Sequence, residues 1–147
     1  VRVKPRIILC DVDGTVADSR RGQPGRRGPY DWHRVGEDEP IQPIVDLVWL
    51  FFRLNWEVFF ISGRDEVCRG ETLRWLRRHF GHAFPAQALL LRPHGDNRRD
   101  SVVKRELYEN LIEPYYEVAY VLDDRNQVVQ EWRSLGLTVL QVADGDF

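Results

Sequence analysis

Five short apolar runs alternating with four amphipathic stretches constrain this chain more than any other feature. The runs cover residues 6–10, 57–61, 88–91, 118–122 and 138–142, and residues 44–54, 71–80, 101–112 and 127–135 between them carry apolar side chains at helical spacing. That rhythm predicts an α/β fold, a five-stranded parallel sheet with helices on both faces. The near-continuous apolar character of Ile7-Ile8-Leu9 and Val58-Phe59-Phe60-Ile61 is what strands buried on both sides require. At 147 residues, 43% apolar and 30% charged, the chain is expected to form one domain over 1–147. Its longest apolar run, 44–52, is interrupted by Asp46 and falls short of the ~20 residues of a membrane span, so no membrane partner and a cytoplasmic location are expected.

In an open parallel sheet, ligands bind at the carboxyl ends of the strands, so the polar residues there carry the chemistry. After the first run stands Asp11-Val12-Asp13-Gly14-Thr15, after the second Ser62-Gly63-Arg64, after the fourth Asp123-Asp124-Arg125, and Lys104 sits early in the helix before that fourth run. Residues 18–40 break the rhythm with Gly, Pro and charge, and are expected to form a small flap beside the site. Asp11, Asp13, Asp123 and Asp124 converging on one crevice would repel one another without a cation, and a wet, all-oxygen site suits Mg²⁺. The Ser62 hydroxyl, the Lys104 ammonium and the amides around Gly14 and Thr15 suit a phosphate, whose transfer needs charge neutralisation and positioning above all.

These motifs, in this order, resemble those of the haloacid dehalogenase (HAD)-like phosphohydrolases, a Rossmann-like family. The resemblance implies that Asp11 attacks phosphorus to form an aspartyl-phosphate and that Asp13 serves as general acid and then base. It also implies that Ser62 and Lys104 hold the phosphoryl oxygens, and that Asp123 and Asp124 complete the Mg²⁺ site. A closer likeness spans nearly the whole chain. The flap sequence Gly28-Pro29-Tyr30-Asp31-Trp32, the stretch from Gly95 through Asp96-Asn97-Arg98-Arg99-Asp100 to Lys104, the stretch from Asp123 to Val129, and the ending Gln141 to Phe147 look like the 3′-phosphatase domain of bacteriophage polynucleotide kinase/phosphatase. That likeness adds Arg27, Arg64 and Asp100 as substrate-site residues beside Thr15, Ser62 and Gly63. Asp100 and Lys104 share a helix face at i,i+4, where the carboxylate can orient the ammonium. The linker before Gly28 carries extra residues, including Arg20-Arg21-Gly22-Gln23-Pro24, which leaves the choice of flap arginine open.

The implied substrate is a 3′-phosphorylated DNA or RNA end, or a 3′-nucleotide. Neither lysine follows a glycine, so no P-loop is present and 5′ phosphorylation by that route is not expected. Two other readings fit parts of the pattern. A small-molecule phosphatase of the same family usually needs a closing lid, and the intervals between motifs leave room only for the flap and no large cap. A non-enzymatic phosphoacceptor module would place its acidic pair after the first strand, the reverse of the order here. Tyr30 and Trp32 either anchor the flap or stack on a nucleobase. Cys10 and Cys68 are expected as inert buried thiols.

Overall fold

In the computed structural model, which describes residues 3–19 and 23–147, the alternation becomes a single five-stranded sheet. Its strands are β1 (Arg6–Cys10), β4 (Glu57–Asp65), β5 (Leu89–Arg92), β6 (Glu117–Asp123) and β7 (Val139–Gln141), in the order β5-β4-β1-β6-β7. Every neighbouring pair is parallel. The connecting helices are α1 (Gln42–Arg53), α2 (Arg69–Phe80), α3 (Asp100–Leu111) and α4 (Asn126–Ser134). Right-handed crossovers run outward from β1 to β4 and β5, then return across the sheet to β6 and β7, which puts α1 and α2 on one face and α3 and α4 on the other. Ile7, Ile8, Leu9 and Cys10 are fully buried, as a central strand covered on both faces demands.

This topology reverses direction between β1 and β6, and a crevice opens there at the strands' carboxyl ends. Beside it, β2 (Ala17–Asp18) and β3 (Glu39–Pro40) pair antiparallel and close the base of the flap, which contains a 3₁₀ turn over Trp32–Glu37. The expected flap, 18–40, matches this insertion closely. Arg20, Arg21 and Gly22 lie outside the described residues. Among the described residues no large cap is inserted over the crevice, and no helix is long and apolar enough to cross a membrane.

One boundary differs in a way that matters to the site. The second run was expected to end at Ile61, with Ser62-Gly63-Arg64 following it, whereas β4 continues to Asp65 through a register shift between Ser62 and Asp65. A bulge of this kind bends the strand and re-aims its side chains, so the three residues sit on rigid sheet rather than on a loop.

The flap is tied to the body by Trp75 of α2. Its ring is fully buried and its indole N–H donates to the Asp38 carbonyl at 2.8 Å. Trp75→Phe retains most of the apolar surface but leaves that buried carbonyl unpaired, and is expected to lower stability by ~1–3 kcal/mol in urea unfolding.

Candidate active site

Because β1 and β6 are adjacent, the residues just past or at their ends meet. Asp11 follows β1, Asp123 ends β6 and Asp124 follows it, and the Asp11 amide donates to the Leu122 carbonyl at 2.9 Å. Carboxylate oxygens of Asp11, Asp123 and Asp124, all buried, lie within 4.8 Å of one another. Lys104 reaches across from α3 and its Nζ donates to Asp11 Oδ1 at 2.8 Å and to Asp123 Oδ2 at 3.1 Å, with Asp100 Oδ2 at 3.5 Å. Asp123 Oδ2 also accepts from the indole of Trp132 at 3.2 Å, and its Oδ1 accepts from the Asp124 amide at 2.9 Å. The Thr15 hydroxyl donates to Asp11 Oδ2 at 3.1 Å, and a second, longer contact reaches Asp124 Oδ1 at 3.4 Å.

Burial pushes the Asp11 carboxyl well above the usual carboxylate range, and the Asp123 charge adds to this while Lys104 opposes it. Asp124 is raised as well, first by burial, and by repulsion from Asp123. Burial alone would lower the Lys104 ammonium, yet Asp100, Asp11 and Asp123 together hold it well above its ordinary value. Three buried carboxylates against one ammonium are under-neutralised, and their donor set is hard oxygen throughout. These residues fit a divalent cation of the Mg²⁺ type.

Asp13 departs from the expected group of four. Its carboxylate lies outside that triad and instead meets two guanidinium groups. Arg64 donates from Nε to Oδ2 at 3.0 Å and from Nη2 to Oδ1 at 2.8 Å, and Arg27 Nη2 reaches Oδ1 at 3.2 Å. Both arginines are then fastened by Asp38, whose Oδ1 accepts from Arg27 Nε at 2.7 Å and whose Oδ2 accepts from Arg27 Nη2 at 2.8 Å and Arg64 Nη2 at 2.7 Å. Burial would lower the Arg64 guanidinium, but the charge and hydrogen bonds of Asp13, with Asp38 behind, raise it above its ordinary value. Arg27 and Arg64 had been expected at the substrate. Their side chains are 1% and 0% exposed, and what they touch is Asp13.

A cavity of about 460 Å³ opens above these groups, within the size range of small-ligand sites. Asp11, Asp13, Ser62, Lys104 and Asp124 are at its wall, whereas Thr15 and Arg27 are not. Arg64 borders it with its guanidinium already engaged. Ser62 Oγ accepts from the Arg64 amide at 3.1 Å, so its own proton is available to a ligand. Three close approaches require glycine, the tightest at Gly145, where a Cβ would fall 1.9 Å from the Asp124 carbonyl oxygen. A Cβ on Gly63 would fall 2.1 Å from Asp100 Oδ1, and one on Gly14, where φ is +80°, would fall 2.2 Å from Asp124 Oδ2.

Sequence reasoning overlooked Asp38 and Trp132. Asp38 sits in a run of acidic and flap residues with no periodicity to single it out, and Trp132 reads as an ordinary apolar helix position. Only the fold shows a carboxylate under two arginines and an indole N–H under Asp123.

Residues 5–147 match the family described as the polynucleotide kinase PNKP phosphatase domain. A protein of Autographa californica nuclear polyhedrosis virus, described as a bifunctional polynucleotide kinase/RNA ligase, is 35% identical over 141 residues, covering 94% of this chain and 19% of its own length. A solved structure of a Pnkp1/Rnl/Hen1 complex superposes with a TM-score of 0.86 at 34% identity, over 98% of this chain and 47% of the matched one. The class C acid phosphatase of Bacillus anthracis shares the fold, at a TM-score of 0.67 and 18% identity over 96% of this chain and 67% of its own. The chain therefore spans less than half the length of the first two relatives, and in HAD-like architecture and sequence it belongs to the polynucleotide kinase phosphatase-domain family and is a phosphatase.

Proposed function

We propose that residues 1–147 act as one phosphatase unit that removes the 3′-terminal phosphate from nucleic-acid ends, with Asp11 as nucleophile. The observation that carries the reading is Asp11 at the cavity wall, with Lys104 on one carboxylate oxygen and Thr15 on the other, beside an Asp13 held by two arginines. An Asp11 oxygen forms a bond to phosphorus while the bond from phosphorus to the 3′ oxygen breaks, and the departing electron pair is protonated by Asp13. Asp13 then takes a proton from water as that water attacks the aspartyl-phosphate, inorganic phosphate leaves, and the Asp11 carboxylate is restored.

The remaining residues position these two. Lys104, steadied by Asp100, and the Ser62 hydroxyl bind the equatorial phosphoryl oxygens. Arg27 and Arg64 hold Asp13 at the angle its proton transfers require, and Asp38 keeps the arginines in place. This assigns both arginines an indirect part in place of the direct substrate contact the sequence suggested. Asp11, Asp123 and Asp124 would hold Mg²⁺, which when bound neutralises charge on the phosphoryl group. The nucleic-acid substrate is supported by the family match and by relatives described as a polynucleotide kinase/RNA ligase and a component of an RNA repair complex. The open crevice, which among the described residues has no lid that would enclose a small metabolite, is consistent with a polymer end.

Three outcomes test this reading. Asp11→Asn, similar in shape but a poor nucleophile, should reduce phosphate release from a 3′-phosphorylated oligonucleotide by at least ~10³-fold without lowering the thermal midpoint. Residual turnover near the wild-type rate would remove Asp11 from the chemistry. Mg²⁺ at ~100-fold over its Kd should raise Tm by roughly 5–10 °C, and Asp124→Asn should erase most of that shift in a thermal melt. Asp38→Ala leaves two buried guanidinium groups short of a partner, so it is expected to destabilise the fold by ~3–5 kcal/mol in denaturant titration. The gentler Asp38→Asn should stay folded and lower kcat more than it raises KM.

A further inference from the structure

Tyr30 lies in the flap and lines the cavity, yet 80% of it is exposed. A ring this open is not anchoring the flap. Trp32 lines the same cavity, half-buried, and meets Tyr30 edge to face with ring centroids 6.1 Å apart and planes at 77°. The pair is an aromatic corner whose inner member is half-buried and whose outer member offers a free π-face. Such a surface suits a nucleobase, since stacking on an aromatic ring needs no particular hydrogen-bond pattern.

The charged residues at the same mouth divide sharply. Arg92 is spent on the carbonyls of Gly63, Asp96 and Arg98 and on Asp100. Arg98 is paired with Asp96 and Glu106. Arg125 donates to the Phe147 carbonyl and covers the Phe147 ring with its guanidinium at 5.1 Å. Arg99 is exposed, borders the cavity, forms no ion pair among the described residues, and its guanidinium approaches the Gln127 side-chain amide at no closer than 3.4 Å. It is the cation at the mouth best able to take a new anionic partner.

We propose that Tyr30, with Trp32 edge to face beside it, stacks the base of the terminal nucleotide and that Arg99 binds the phosphodiester on its 5′ side, so that the site reads a nucleic-acid end one nucleotide and one linkage deep. This rests on the nucleic-acid-end reading above and deepens it. The terminal phosphate goes to the Asp11 floor, its base to the flap, and the next phosphate to the loop between β5 and α3.

The test compares wild type, Tyr30→Ala and Arg99→Gln on four substrates: a single-stranded 3′-phosphorylated oligonucleotide, the same oligonucleotide with an abasic terminal nucleotide, a 3′-nucleoside monophosphate and glycerol phosphate. Tyr30→Ala should raise KM by ~10-fold on the oligonucleotide and on the monophosphate. On the abasic end, where wild type already lacks the contact, the variant should add nothing, and glycerol phosphate, which offers neither base nor linkage, should be insensitive to it. For Arg99, log KM against log salt should be steeper for the oligonucleotide than for the monophosphate by ~0.7, the increment of one phosphate contact on a single strand, and Arg99→Gln should abolish the difference. Wild type that prefers the oligonucleotide but keeps its KM in Tyr30→Ala, or its salt slope in Arg99→Gln, overturns this subsite and leaves the proposed activity standing. Wild type that processes glycerol phosphate as efficiently as the oligonucleotide overturns both.

Discussion

Concentrated negative charge at the carboxyl ends of β1 and β6 is the constraint to which the rest of this structure answers. Adjacent parallel strands that each end in aspartate bring Asp11, Asp123 and Asp124 together in a buried place, where unscreened repulsion is costly. The protein offsets it locally with the Lys104 ammonium, the Trp132 indole, the Thr15 hydroxyl and main-chain amides, so that no buried side-chain polar atom among the described residues lacks a partner. The Asp11 and Asp124 carboxyls are nevertheless raised, first by burial and then by repulsion from Asp123. Under the proposed reading a divalent cation relieves that repulsion.

A second ionic cluster links the flap to the sheet. Arg27 and Asp38 come from the flap, Asp13 from the turn after β1, and Arg64 from the bulged end of β4. A buried cluster of this kind is weak evidence for net stability, because desolvation of four charged groups opposes their attraction. Its value is geometric. With each arginine gripped by Asp38, the carboxylate of Asp13 has one orientation, and under the proposed mechanism the same carboxylate must face first the leaving oxygen and then the attacking water. Under that mechanism a flap that supplies Arg27 and Asp38 is coupled to the chemistry, although among the described residues it does not close over the crevice as a lid.

The mouth of the cavity follows a different logic from its floor. Below, charges are paired two and three deep and side chains are immobilised by packing. At the rim, Tyr30 and Arg99 are exposed and hold few commitments, the condition in which a protein meets a ligand whose sequence varies and whose backbone does not. Under the proposed reading this division leaves the chemistry to rigid strand ends and the adaptable contact to the flap and the β5–α3 loop.

Periodicity alone specified the sheet, its parallel strands and the end of the sheet at which polar residues would gather, because a strand buried on both faces and a helix buried on one leave unmistakable apolar patterns. Asp11, Ser62, Lys104, Asp123 and Asp124 were legible for that reason: each directly follows or ends an apolar run, or occupies a helix position whose face is set by spacing. What the chain's order could not reveal was which charge pairs with which. The family resemblance put Arg27 and Arg64 at the substrate, and the clustering of carboxylates put Asp13 with the metal. Their partners were settled only when residues 13, 27, 38 and 64, distant in sequence, were brought within hydrogen-bonding distance. An arginine fork binds whichever carboxylate or phosphate the fold delivers to it, and delivery is a property of the tertiary structure.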